Sequence, residues 1–456
     1  MAVTTSISPV QFDVNSSLST AQRQTQGRAA RDRIHPAQLG DWNPQSRGHD
    51  ALETILAQSA IRQSDLLPIR HGRMSASAWT YYRGAAAVAA ADLGSRPNSG
   101  LTVQMCGDAH ILNFGLWATP ERNLSFDLRD FDETLPGPFE WDVSRLVASI
   151  VVLARDSGLK QTVADRAVAA CLAAYRARMA KYSTAKQLFI WYDKVTVDDL
   201  IGVFTTKDQK RASSLIAKSA VKKTSAGAAK KLIEKVGGRL QISEQPPTRT
   251  HLKATPASAV YNAYRESLEE DRRHLLDGFT PQDAVQQIVG VGSVGMRVYL
   301  LLLNGCHDND PLFLQIKQAG PSVYEPFAGA SVHTNHGQRV VTGQRLIQSA
   351  TDIFVGWTSD QGLDFYVRQF RDMKVIADAE ILAPRLVEFA TACGGVLARS
   401  HARSGDPTAI NAYIGKGRKF DEALGRFAVA YADQTAVDHQ QLVDAVKSGA
   451  IASAPG

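Results

Sequence analysis

The chain reads as an α+β protein, and three observations lead there. The run Leu124-Ser-Phe-Asp-Leu128 alternates apolar and polar side chains, the period-2 mark of a half-buried strand. A second block, DAVQQIVGVGSVGMRVYLLLLNGCHDNDPLFLQIKQAG, reads as strand, Gly-rich turn, strand, hairpin loop and strand. Around these lie apolar helical segments such as VSRLVASIVVLARDSG and EILAPRLVEFATACGGVLARSHAR.

Composition narrows the class. A chain of 456 residues with 44% hydrophobic content can bury a real core and divide into about two to three domains. Its net charge of +6 suits an anionic ligand such as a nucleotide but is too mild to indicate nucleic acid. Cys106, Cys171, Cys306 and Cys393 lie far apart with no CxxC, which argues against a zinc site or a disulfide framework. No uninterrupted apolar run reaches membrane-spanning length, and the N-terminus lacks a charged stretch followed by an apolar one. A cytoplasmic protein that does not engage a membrane is expected.

In order, residues 1–50 are rich in Ser, Gln, Arg and Asn without periodicity and read as a flexible arm. Residues 51–160 begin with helical patterning and a cluster of Arg70, Arg73 and Arg83 around the aromatic run Trp79, Tyr81 and Tyr82. Those arginines either clamp a phosphate or cap helices and pair with surface acids. Ala85 to Leu93 is a helix of small residues. Residues 161–285 read as helical and partly basic, and the stretch 207–235 fits a solvated face better than a nucleic-acid surface. Residues 286–375 hold the Gly-rich hairpin, 376–447 are helical again, and 448–456 form a frayed tail.

The chemistry concentrates between Cys106 and Arg145. Asp108 and Asn113 stand five positions apart with His110 between them, and the strand that follows runs into Asp130-Phe131-Asp132. Hard oxygens of this kind hold Mg²⁺, while a separate Asp can take a proton from an incoming hydroxyl. The Asp-x-x-x-x-Asn spacing equals that of a kinase catalytic loop. Asp130 is preferred to Asp127, which reads as a solvent-facing strand residue, and Asp132 is either a second metal ligand or turn chemistry. His110 reads as a residue that braces the loop rather than a metal ligand. Asp142 sits where an N-cap would precede the next helix, and His401 where a helix C-terminus would be capped.

Gly290, Gly292 and Gly295 spell GxGxxG, but a β-rich run follows them instead of a helix. A dinucleotide fold needs the helix, whereas a kinase-type Gly-rich loop joins two antiparallel strands and is followed by a Lys on the next strand. Lys317, alone in LFLQIK, fits the second arrangement. Kinase-like enzymes run Gly-rich hairpin, Lys strand, helix, linker, long helix ending near His, catalytic loop, metal Asp. Here both halves are present in swapped order, which circular permutation explains.

The motifs GDAHILNFG, RMSASAWTYYRGAA, GVGSVGMR, FLQIK and DFYVRQFRDMK resemble a bacterial family known as domain of unknown function 2252, over about residues 30–440. At greater distance, CGDAHILNF resembles the HGDLHPGN loop of aminoglycoside and choline kinases, Arg129-Asp130-Phe131-Asp132 their IDFE metal motif, and Phe139-Glu-Trp-Asp142 their later structural Asp. The resemblance implies a circularly permuted protein-kinase-like fold with additional helical segments, using ATP and Mg²⁺. Carried over, Asp108 would be the catalytic base, Asn113 and Asp130 the Mg²⁺ ligands and Lys317 the phosphate-binding lysine, while the residue pattern alone adds His110 beside the base and Asp132 at the metal. Gly290, Gly292, Ser293 and Gly295 would cover the nucleotide phosphates with Lys317 and its partner Glu325, and the arginine cluster adds Arg73 to the expected nucleotide site. Cys106 replaces the family's usual His, and the acid that pairs with Lys317 would be Glu325, with Gln344 as the alternative.

The expected activity is ATP- and Mg²⁺-dependent phosphoryl transfer to a small-molecule or protein hydroxyl. A metal-dependent phosphoesterase is the alternative, since Asp108-Ala-His110 is also the Asp-x-His of two-metal hydrolases, although no GNH follows and Thr334-Asn-His336 is the nearest match. A catalytically inactive nucleotide-binding protein is the third reading.

Overall fold

The computed structural model describes residues 18–202, 225–251, 257–307, 310–370, 373 and 379–455. Helix α1 (Ala78–Gly84) opens the functional half; Ser77 and Thr80 close a capping box at its start, and Trp79, Tyr81 and Tyr82 are buried. Two antiparallel pairs follow, β1 (Thr102–Met105) with β4 (Leu135–Pro138), and between them in sequence β2 (Phe114–Ala118) with β3 (Leu124–Leu128).

Strand β3 buries Phe126 and Leu128 as its alternation predicts, but its polar members are buried too. Asp127 is therefore not solvent-facing. Its carboxylate meets Arg399 at 2.5 Å and accepts from the backbone N–H groups of Leu128 and Ser349 and from the Ser349 hydroxyl. A buried carboxylate persists only when so satisfied.

Helix α2 (Phe139–Asp156) is buried on almost every face, which is why its sequence reads as one continuous apolar run. Pro138 holds its N-cap position and Asp142 lies inside the first turn, so the expected Asp142 cap is not formed. Helix α3 (Gln161–Tyr182) follows. The segment to 285 is not helical throughout. It holds β5 (Val195–Thr196), which extends the β2–β3 sheet, the hairpin β6 (Ile233–Val236) and β7 (Arg239–Ile242), and β8 (Arg249–Thr250) before helix α4 (Ala257–Ser267). Of the basic stretch 207–235, residues 207–224 lie outside the described residues.

The second sheet is antiparallel. Its strands are β9 (Thr280–Gln287), β10 (Val298–Asn304), β11 (Pro311–Ala319), β12 (Gly356–Asp360) and β13 (Leu363–Gln369), in the order β12-β13-β11-β10-β9-β8. The β9–β10 connection is the Gly-rich segment, and the register Val298↔Lys317 sets Lys317 beside the point where that segment re-enters the sheet. Helix α5 (His336–Ile347) lies between β11 and β12 in sequence and packs against β12 and β13. The sheet's other face is closed by α4, with Tyr264 and Leu268 against Leu314, Ile316 and Val367 in one apolar cluster.

The chain closes with α6 (Leu386–Ser404) and α7 (Lys419–Lys447). Helices α3 and α6 touch closely, because Gly394 has no side chain; a methyl group there would lie 2.1 Å from the Cys171 carbonyl oxygen. The helical run Ala379–Ser404 is long and apolar enough to cross a membrane by length and composition, yet 61% of that window is buried inside the molecule. Its apolarity is that of a core helix, each fully buried Leu or Val contributing about 1.5–3 kcal/mol.

Both chain ends correct the sequence reading. From residue 18 the expected flexible arm is folded: helix Thr20–Ala29 packs on Pro407–Ile414, Arg31 donates to the carbonyls of Ala412 and Tyr413, and Arg47 bridges Asp92 and Asp438 at 2.7 Å each. These backbone-directed and ionic contacts, joined by the irregularly spaced apolar side chains Ile34, Leu39 and Trp42 at the core, leave no hydrophobic periodicity in the sequence. The tail is likewise fixed, with Ile451 buried and Ala454 N–H donating to the Pro68 carbonyl.

Candidate active site

The loop after β1 is held from below. Asp142 Oδ2 accepts from Cys106 N–H at 2.8 Å and Oδ1 from Gly107 N–H at 3.0 Å. His401 does not cap its helix; its ring is buried between Tyr175 Oη, 2.8 Å from Nδ1, and Asp142 Oδ2, 3.4 Å from Nε2. Gly107 has φ +84°, and a methyl group there would lie 2.3 Å from the Glu133 carbonyl oxygen, so both the turn and the close approach require glycine. The Ser149 hydroxyl accepts from Ile111 N–H at 2.9 Å. The loop is thereby fixed on α2 before any ligand arrives.

Asp108 meets the Arg145 guanidinium at 2.9 Å. Arg145 is itself locked, donating to the Tyr82 carbonyl at 2.7 Å and lying 3.9 Å from the centre of the Tyr82 ring. Burial pushes the Asp108 carboxyl up to about 6; Arg145 pulls it back and Asp130 adds to the rise. His110 Nε2 is 3.8 Å from Asp108 Oδ2 and its Nδ1 is buried without a partner. Burial, with Arg83, Arg145 and Arg129 nearby, drives its pKa well below the usual value, so the ring is neutral and braces the loop. Asn113 Nδ2 donates to the Asp108 carbonyl at 2.8 Å, which leaves its amide oxygen for another partner.

Lys317 is buried and its Nζ lies 2.7 Å from Asp132 Oδ2. Burial works against its charge, but Asp132 outweighs it and raises the ammonium's pKa. The Tyr366 hydroxyl donates to Asp132 Oδ1 at 2.6 Å. Asp132 therefore answers the question of the lysine's partner, and Glu325 and Gln344 do not. Glu325 accepts from Ser322 N–H and sits 4.0 Å from Arg339, while Gln344 donates to Gln348. In the turn after β3, both Asp132 oxygens are engaged in these short contacts, whereas Asp130, which also lines the cavity, accepts only a long bond from Asp132 N–H at 3.5 Å. Arg339 of α5 fixes that turn by donating to the carbonyls of Thr134, Asp132 and Gly320.

One cavity of about 310 Å³ collects these groups. Asp108, His110, Asn113, Asp130, Asp132, Lys317, Gly290, Gly292 and Ser293 all line it. That volume holds a small-molecule ligand. Gly295, Glu325 and Arg73 do not line it. The Gly295 carbonyl accepts from Gln63 N–H at 2.8 Å, and Arg73 donates to the Gly290 carbonyl at 2.6 Å. Arg62 donates to the carbonyls of Gly292 and Val294. The Gly-rich segment is thus strapped by its carbonyls to residues 62–73.

The sequence reading missed Arg62, Arg129, Glu133, Gln315 and Arg368, all on the cavity wall, and left Arg83 undecided; it lines the wall too. Burial pushes Glu133 up to about 7 and, together with Arg83 and Arg368, Arg129 down to about 10. Arg129 adjoins Asp130 in the sequence, which was the one signal available for it.

A Mg²⁺ ion fits what is present to a limited degree. Asn113 and Asp130 offer oxygens, and among the described residues no three His, Cys, Asp or Glu side chains converge as a metal-holding group. Two protein ligands suffice for Mg²⁺ when water and phosphate oxygens complete the shell. Neither the curated proteins nor the solved structures yield a match to the chain. Residues 62–445 match the model of the family described as "Uncharacterized protein conserved in bacteria (DUF2252)", and the chain belongs to that family.

Proposed function

We propose that the chain is a nucleotide-dependent phosphotransferase with a circularly permuted protein-kinase-like fold. The observation that carries this is the single cavity in which Gly290–Ser293 and Lys317 from one sequence block face Asp108, Asn113 and Asp130 from the other. The order of parts agrees: a Gly-rich connection between antiparallel strands, a lysine strand, a helix, and a long helix ending near His401.

In this scheme Asp108 orients the acceptor hydroxyl and takes its proton, being ionised above about pH 6 and held in place by Arg145. Asn113 and Asp130 hold Mg²⁺, which when bound neutralises charge on phosphate oxygens. Lys317 stays charged through Asp132 and presents its ammonium to the phosphates. The Gly-rich segment, its carbonyls turned to residues 62–73, covers them. The protein's contribution is positioning and preorganised charge. The phosphoesterase alternative is the weaker reading, because two-metal chemistry needs converging ligand sets and no three His, Cys, Asp or Glu side chains converge as a metal-holding group among the described residues.

Calorimetric titration of Mg·ATP into the wild-type protein and into Asp130→Asn tests the proposal. Saturable, Mg²⁺-dependent binding that collapses in the variant is expected. Absence of binding to folded wild-type protein would refute it.

A further inference from the structure

Two cations on the cavity wall are left unused by this scheme. Arg83 ends α1 and Arg129 follows β3. Both line the cavity with Asp108 and Asp130. The Nε atom of each is sealed from solvent without a hydrogen-bond partner, and neither guanidinium forms an ion pair among the described residues. Of the two acids nearest them, Asp108 is engaged by Arg145, and Asp130 forms no ion pair with either arginine among the described residues. Arg368, the third guanidinium nearby, is bound to Gln315 Oε1 at 3.0 Å and to the Arg129 carbonyl.

Two like charges half-sequestered beside one another, each with an unsatisfied donor, cost the folded state free energy. A fold retains them where an anion offsets that cost. Guanidinium forks match tetrahedral and planar oxyanions with paired N–H donors, which a lysine cannot do. Both arginines are within electrostatic reach of Asp108 and of Asp130, so they border the gap between the group that would take the acceptor's proton and the group that would hold the cation.

We infer that Arg83 and Arg129 form a two-arginine oxyanion subsite between Asp108 and Asp130, built to hold a phosphoryl group. It rests on the phosphotransferase reading only for the source of that group, which is either the terminal phosphate of the nucleotide or a phosphate carried by the acceptor.

The test is calorimetric titration of inorganic phosphate, Mg·ADP and a non-hydrolysable Mg·triphosphate analogue into wild type, Arg83→Gln, Arg129→Gln and the double variant. Each single change is expected to weaken phosphoryl binding by about tenfold or more. Weaker triphosphate binding with unchanged Mg·ADP binding assigns the subsite to the terminal phosphate. Unchanged nucleotide binding with lost inorganic-phosphate binding assigns it to the acceptor. If wild type binds phosphate but no nucleotide, and the variants lose the phosphate, the subsite stands and the nucleotide reading fails. The inference is overturned if the double variant binds every ligand as wild type does, or if wild type binds none. It is equally overturned if either glutamine variant melts below wild type, since the guanidiniums would then serve the fold; unpartnered, they should leave the melting temperature unchanged or raise it.

Discussion

Lys317 Nζ stands 2.7 Å from Asp132 Oδ2, and this ion pair joins two sequence blocks 185 residues apart. It ties the central strand of the second sheet to the turn that follows β3. The Lys317 side chain is 4% exposed and that of Asp132 31%, so the lysine is the partner that cannot turn to water. The pair therefore fixes one half of the cavity relative to the other.

Breaking the pair from either side should destabilise the protein. Lys317→Met and Asp132→Asn are each expected to cost about 1–3 kcal/mol, and the double variant less than their sum, with a coupling of about 0.5–3 kcal/mol. Urea unfolding of the four proteins measures it. Additive losses would mean that the contact contributes nothing to stability.

Much of the site was legible because its chemistry is local. Asp108, His110 and Asn113 fall within six residues, Gly290 to Ser293 within four, and Lys317 announced itself as a charge in an apolar strand. The strands followed from alternation, and α2 and α6 from the length of their apolar runs, since both helices are buried on nearly every face. What could not be read depends on partners distant in the chain. Asp127 looked exposed because alternation places it opposite Phe126, and partners far along the chain, Ser349 and Arg399, make that face interior. Glu325 was chosen for Lys317 by nearness in sequence, whereas the true partner comes from the other block. Residues 18–50 show no periodic pattern because Arg31 and Arg47 hold them through carbonyls and carboxylates, while scattered apolar side chains such as Ile34, Leu39 and Trp42 reach the core without a regular spacing.

Gly107 should tolerate no side chain. At φ +84°, with the Glu133 carbonyl oxygen 2.3 Å from where a methyl group would stand, Gly107→Ala must move backbone on both sides. A loss of about 1–3 kcal/mol in denaturant unfolding is expected, with ligand binding at the cavity reduced in the protein that still folds. Wild-type stability in this variant would contradict the packing described here.

Asp142 is expected to matter through the backbone it holds. Asp142→Ala leaves the N–H groups of Cys106 and Gly107 buried without acceptors, at about 1–3 kcal/mol for each. Asp142→Asn keeps one acceptor oxygen and should recover part of that loss. Thermal unfolding ranks the three proteins, and an asparagine variant no better than alanine would show that the loop needs both acceptor oxygens at once.

Glu133 and Asp108 should together contribute stability that falls as pH rises from about 5 to 8, opposite in sign to paired carboxylates and to the buried neutral ring of His110. Glu133 is raised from 4.5 to about 7 and Asp108 from 3.8 to about 6, each mainly by burial. Between the unfolded and folded values the native state binds more protons than the unfolded one, so unfolding becomes easier as pH climbs through that window. The stabilising effect of protonation is complete below about pH 4 and gone above about pH 7–8. Glu133→Gln keeps an acceptor for Val323 N–H, now at 2.8 Å from Oε2, and removes the titration. It should flatten the profile by about 1–2 kcal/mol between pH 5 and 8, a figure reduced because the carboxylate opens onto the cavity. Turnover should run the other way for Asp108, increasing with pH through about 6 as the base form appears. Asp108→Asn should abolish turnover and that limb of the profile while leaving nucleotide binding in place, which separates the base from the fold that carries it.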